Sequence, residues 1–124
     1  MRFTFSEEDI LRGTLVKPTW YPVEVSEVND ITASTGAQGT EITVKIMDGQ
    51  YKGVPVNIRY YENAPGFAKN FVSALSGKAV AAGQEVNFDN KLVGKKLEAY
   101  IKNSKSNKGN DFNEIADWRP LKAA

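Results

Sequence analysis

The stretch VPVNIRYYENAPGFAKNFVSALSG, residues 54–77, changes its apolar period halfway along. In residues 54–61 apolar side chains alternate with others, as they do in a β-strand that buries one face. Apolar side chains then recur every four residues, at Phe67, Phe71 and Leu75. That spacing predicts one apolar stripe of a helix. The stretch therefore predicts a strand followed by a short helix, with Tyr60 and both phenylalanines in the core.

Four other segments also alternate, which predicts four more strands. They are residues 21–31, 41–47, 95–102 and 111–120. A short N-terminal helical turn is predicted after Ser6, which can cap an acidic first turn. The loops that join strands 1 and 2 and strands 4 and 5 are both predicted to be long.

The element order indicates a mainly β protein with one helix between strands 3 and 4. This is the order of an OB-fold, a five-stranded, partly open Greek-key barrel. An SH3-like barrel or an open α+β sheet would give similar strands and stays an alternative. A length of 124 residues suits one domain with one core, so residues 1–124 are predicted to form a single OB-fold domain.

Composition excludes several kinds of chemistry. The chain has no cysteine and no histidine. Thiolate metal sites, cysteine nucleophiles and Ser-His-Asp arrangements are therefore excluded. No GxxxxGK[ST] motif occurs near Gly36, Gly39 or Gly94. A magnesium site made of carboxylates alone has no fixed spacing and stays open. We expect no enzyme activity, no catalytic residue, no metal and no cofactor.

Charge is unevenly distributed along the chain, although the net charge is only +1. Residues 1–62 hold six basic and nine acidic residues, whereas residues 63–124 hold ten and six. Six lysines lie within residues 91–108, against Glu98 as the only acid there. A local basic stripe can attract nucleic acid at a small total charge. A solvated lysine face is the alternative explanation.

Single-strand binding requires cations for the phosphates and exposed rings on which bases stack. The alternation predicts outward-facing candidates of both kinds. On strands 2 and 3 they are Lys45, Arg59 and Tyr61, and around strands 4 and 5 they are Lys96, Tyr100, Lys102, Lys105, Lys108 and Phe112. The last three lysines are expected on a mobile hairpin loop that overhangs the groove. For Trp20 and Trp118, a place at the edge of the core is favoured over a binding role.

Four phrases carry a resemblance that covers roughly residues 10 to 120. They are GTLVKPTWYPVEV (13–25), MDGQYKG (47–53), FDNKLVGKKLEAYI (88–101) and DFNEIADWRP (111–120). With this layout the chain resembles phage-encoded OB-fold single-stranded DNA-binding proteins. Unlike bacterial single-stranded DNA-binding proteins, it ends in WRPLKAA and has no acidic tip. Recruitment of partners through such a tip is therefore not expected.

The resemblance implies a sequence-independent single-stranded DNA-binding protein that protects or organises DNA in phage replication or recombination. RNA binding, homo-oligomers and contacts with replication or recombination proteins are open. The alternative is a protein-interaction or structural phage component that binds no nucleic acid. The N-terminus does not have the pattern of a signal peptide, and no segment has the length of a membrane span. We therefore expect the cytoplasm, or the host cytoplasm for a phage protein.

Overall fold

The computed structural model describes residues 1–121, in which five strands and two α-helices occur. The last three residues of WRPLKAA lie outside the described residues. In chain order the elements are α1 (Glu7–Leu11), β1 (Thr19–Thr32), β2 (Gln38–Ile46), β3 (Pro55–Tyr61), α2 (Lys69–Ser76), β4 (Lys96–Lys105) and β5 (Asp111–Pro120). The predicted order, with a helix between β3 and β4 and a short N-terminal helix, is confirmed.

The strands form one antiparallel sheet in the order β3-β2-β1-β4-β5. Strand β1 belongs to both halves of the sheet, because its first part pairs with β4 and its second part with β2. Extra residues shift the register at Ser26 in β1 and at Ala116 in β5. Such bulges bend a strand and increase its twist. The bent sheet brings β3 against β5, which gives the OB order of a partly open barrel.

Side chains close the seam between β3 and β5, since no ladder joins these two strands within residues 1–121. Trp118 donates a hydrogen bond from Nε1 to the Tyr60 hydroxyl at 2.8 Å. Phe71 of α2 packs on Trp118, with ring centroids 4.8 Å apart. All three residues are buried, so the core positions predicted for Tyr60 and Phe71 are confirmed. The helix thereby covers one end of the barrel.

The core position predicted for Phe67 is wrong, because its side chain is 81% exposed. The predicted apolar stripe of the helix begins one turn before the helix itself. Residues Pro65–Ala68 form a 3-10 turn, and α2 begins only at Lys69. A 3-10 turn has three residues per turn, so it directs Phe67 away from the side on which Phe71 is buried.

Both hairpin loops are short, contrary to the long loops predicted. Residues 33–37 join β1 to β2, and residues 106–110 join β4 to β5. Each loop is closed by one backbone hydrogen bond of 2.8 Å between its first and last residues. Each also has a glycine at its fourth position, Gly36 or Gly109, with a positive φ that other residues rarely adopt. The polar residues at both ends of the predicted long loops therefore belong to the strands.

Two asparagines hold the segment before β1 against the β4–β5 hairpin. Asn113 donates to the Thr14 carbonyl at 2.7 Å and accepts from the Val16 amide at 3.0 Å. Its cross-strand neighbour Asn103 donates to the Val16 carbonyl at 3.0 Å. These side chains satisfy backbone groups that have no strand partner. The buried Val16 side chain is thereby fixed in the core.

We expect the Tyr60 hydroxyl to make stability depend on alkaline pH. Burial raises the pKa of Tyr60 to about 12, although the hydrogen bond from Trp118 lowers it in part and the charge of Asp117 raises it. An unfolded tyrosine titrates near 10, so below about pH 10 both states keep the proton and stability is unaffected. Above it the unfolded state loses the proton first, and the free energy of unfolding falls by about 1.4 kcal/mol per pH unit up to about pH 12.

Urea unfolding of the wild type and of Tyr60→Phe at several alkaline pH values checks this expectation. The variant loses the hydrogen bond from Trp118 and starts less stable. Its free energy of unfolding should then fall less steeply with pH than that of the wild type. Parallel losses in the two proteins would show that other groups cause the alkaline instability.

Candidate nucleic-acid interface

A groove of about 360 Å³ follows the seam where β3 and β5 meet. We call it the seam groove, and its lining residues are Glu41, Asn57, Ile58, Arg59, Phe112, Glu114 and Ile115. Phe112 at the start of β5 is 42% exposed and presents part of its ring. Arg59 on β3 provides a cation in the same groove. The barrel thus brings together two of the residues predicted from the sequence.

Arg59 is held by a carboxylate of the neighbouring strand. Its Nε donates to Glu41 Oε2 at 2.7 Å. Glu41 raises the pKa of Arg59, first through this hydrogen bond and then through its charge, so the guanidinium stays ionised. Ion pairs at an exposed surface contribute little to stability, typically about 0–1 kcal/mol. A phosphate can therefore compete for Arg59 at a small cost.

The hairpin lysines are not placed together on a loop, which corrects the sequence prediction. Lys102 and Lys105 belong to β4, and only Lys108 lies on the loop. Lys102 is 3.5 Å from a Glu114 oxygen and Lys105 is 3.0 Å from an Asp111 oxygen. These cross-strand pairs extend the ladder, because opposite charges on facing positions attract. Within the described chain, Lys108 makes no ion pair.

Lys45 and Tyr61 share the outer face with Arg59, but only Tyr61, two residues further along β3, lies close enough to help raise the pKa of Arg59. Lys45 faces Pro55, four residues along β2 from Glu41, which is about 13 Å away along the strand. Tyr61 lies opposite Gly39 on β2. A Cβ at Gly39 would be 2.6 Å from the Tyr61 ring, so glycine makes room for the ring.

An aromatic platform, formed by Trp20, Tyr100 and Arg119, lies on the outer face of β1, β4 and β5. Trp20 and Tyr100 are cross-strand neighbours in an edge-to-face contact, with centroids 5.6 Å apart. The Arg119 guanidinium stacks over Trp20 at 4.1 Å and binds Glu98 at 2.6 Å. Lys96 lies on the same face of β4, four residues before Tyr100. Tyr100, which was predicted as a site residue, therefore has the ring of Trp20 beside it and the cation of Lys96 on the same face.

Sequence reasoning missed the residues that surround the candidates. Glu41, Asp111 and Glu114 were not identified as partners of the cations, and Trp20 was placed at the core edge. Trp118 is buried in the core, as favoured. The missing information was the register, since opposite charges or paired rings can be identified only once strands are aligned.

A second cavity, which we call the apolar pocket, lies between α2, the Gly39 end of the β2–β3 ladder and residues 80–88. Its volume is about 670 Å³. Its apolar lining includes Pro65, Ala68, Val72, Val80, Val86 and Phe88, and its charged members are Asp30, Glu62 and Lys69. It is larger and less polar than the seam groove.

Neither a metal site nor a membrane helix is found in the described part of the chain. Residues 1–121 contain no group of three acidic side chains that could hold a metal ion. None of the helices within that range is both long and apolar enough to span a bilayer.

Comparison with known proteins gives a family without an assigned activity. The family described as "Protein of unknown function (DUF669)" matches residues 3–124. Among curated proteins, none matches this sequence.

Proposed function

The chain belongs to the DUF669 family of unknown function, and we propose that it binds single-stranded DNA along the seam groove and the hairpin beside it. One observation carries the proposal: an exposed ring, Phe112, and a cation, Arg59, line the same groove of a barrel with OB order. Bases stack on such rings whatever their sequence, and cations bind the phosphates. OB-folds bind oligonucleotides with strands 2 and 3 and the two hairpin loops.

The proposed path continues from the groove onto the outer face of β4. Lys102 lies between the positions of Ser104, which faces Phe112, and Tyr100 of the aromatic platform. A strand that leaves Phe112 would pass this lysine and then reach the platform. Lys105 and Lys108 border the path at the hairpin. Rings at both ends, a lysine between them and two more beside the path suit an unstacked single strand.

Binding on this path replaces the carboxylate partners of the cations with phosphates. Arg59, Lys102 and Lys105 are each paired with an acidic residue. A phosphate must displace or share these partners, so the affinity should be moderate and should depend on salt. By resemblance, the function is to protect or organise single strands in phage replication or recombination, with RNA as an alternative ligand.

We expect single-strand selectivity from the wild-type protein. A labelled poly-dT oligonucleotide should bind measurably at low salt, and its affinity should fall as salt rises, because phosphate contacts release counterions. Its duplex should bind much less, since paired bases cannot stack on the rings. Fluorescence anisotropy at several salt concentrations measures both. Absence of binding at low salt would exclude the proposal.

Arg59→Gln and Glu41→Gln should change affinity in opposite directions. Loss of Arg59 removes one phosphate contact, which should weaken binding and reduce the slope of log affinity against log salt by about 0.7. Loss of Glu41 frees Arg59 and should strengthen binding. Arg12→Gln is the matched control, because Arg12 is also exposed and also paired with a glutamate, Glu8. A loss of affinity for Arg12→Gln as large as that for Arg59→Gln would indicate that only total charge matters.

Phe112→Ala should weaken binding without changing the salt slope. A stacking ring contributes about 1–3 kcal/mol per base, which corresponds to a loss of roughly five- to 150-fold in affinity. Val93→Ala is the control, since Val93 is 46% exposed and lies outside the groove. An unchanged affinity for Phe112→Ala would remove Phe112 from the site.

A protein-docking barrel is the second candidate, and the apolar pocket favours it. Docking through apolar surface depends less steeply on salt than binding to phosphates. A barrel of this kind would give no oligonucleotide signal in the anisotropy measurement.

A further inference from the structure

An N-terminal arm, residues 1–5, precedes α1 and leaves its apolar side chains uncovered. Ser6 follows the arm and caps α1 through a reciprocal hydrogen-bond pair with Asp9. Phe3 and Phe5 are each 73% exposed. Two residues apart, they would share one side of an extended chain. Two exposed rings this close together are a candidate contact surface.

The apolar pocket has the properties needed to receive such an arm. Its lining combines aliphatic side chains with Phe88 and the buried Val72. Asp30 and Glu62 are its exposed acidic members, against Lys69 as the single cation in the lining. The arm carries one charged side chain, Arg2, between its apolar residues. The two surfaces are therefore complementary in apolarity and in charge.

The arm does not fill the pocket of its own chain, since neither Phe3 nor Phe5 lines it and both are exposed. Leu11 of α1 lies against Gly53, where an added Cβ would be 3.1 Å from the Leu11 side chain. Tyr61, which lines the pocket at the end of β3, follows Gly53 by eight residues, a span of about 26 Å if that backbone is fully extended. Stretched straight from Leu11, the backbone reaches about 20 Å at Phe3 and about 13 Å at Phe5. Leu11, where α1 ends, therefore lies by the start of β3, whereas the pocket lies by its end.

We propose that the arm of one copy inserts Phe3 and Phe5 into the apolar pocket of a second copy. Arg2 then lies near Asp30 and Glu62 of that copy. Because the two surfaces differ, the contact is head-to-tail and leaves one arm and one pocket free on every dimer. Such heterologous contacts build rings or open filaments. The contact needs no DNA, so it is independent of the proposed function.

Complementation between two defective variants tests this assembly. In sedimentation velocity without DNA, the average mass of the wild-type protein should rise with its concentration. The double variant Phe3→Ser, Phe5→Ser keeps the pocket, whereas Val86→Arg blocks the pocket and keeps the arm. Each variant alone should be monomeric, and their mixture should form dimers and nothing larger. Val93→Ser, an exposed valine outside both surfaces, should assemble like the wild type.

Cross-linking identifies the contact directly, because the chain has no cysteine of its own. A mixture of Phe3→Cys and Val86→Cys proteins should form a disulfide between these positions on oxidation, identified by mass spectrometry of the linked peptides. The mixture of Phe3→Cys with Val93→Cys is the matched control and should give little of it.

Two results would overturn the proposal. One is a wild type that stays a single chain at every concentration, which would leave the arm and the pocket to other partners. The other is assembly that persists in both defective variants, which would place the interface elsewhere. Since neither measurement contains DNA, failure of the assembly leaves the anisotropy result unaffected.

Discussion

The hydrogen bond from Trp118 to Tyr60 joins the two edges of the sheet that no ladder connects. The order β3-β2-β1-β4-β5 leaves β3 and β5 as edges, and an open edge is a site for unwanted pairing. Here side chains close the gap, and Phe71 of α2 packs against the same tryptophan. A seam that side chains close leaves a gap between the two strands along part of its length. The seam groove lies along it, so the device that closes the barrel also creates its candidate binding surface.

Much of the fold could be predicted because each strand buries one face. Alternation gave the five strands, and the change of period after Tyr61 gave the helix and its place in the order. The loops were misjudged because polar residues such as Lys102 and Lys105 fit a strand when their partners carry opposite charge. Phe67 was misjudged because apolar spacing does not distinguish a 3-10 turn from an α-helix.

The candidate site was less predictable than the fold, since it depends on which strands become neighbours. Arg59 and Phe112 are far apart in sequence and meet only because the sheet closes. The same closure brings Trp20 beside Tyr100. Alternation tells which side chains face outward, but it does not tell that carboxylates will pair with Arg59, Lys102 and Lys105. The balance of paired charges is consistent with a net charge of only +1 and limits nonspecific attraction to polyanions.

The double role of β1 affects how the chain can be made. Its second part pairs with β2, which follows at once, but its first part pairs with β4, near the other end of the chain. During synthesis the first three strands therefore emerge with half of β1 unpaired and with Tyr60 lacking its tryptophan. Neighbouring hairpins form quickly, whereas pairings between distant segments are slow. The barrel can close only after β5 has left the ribosome, so until then the nascent chain exposes a strand edge to chaperones or to other chains.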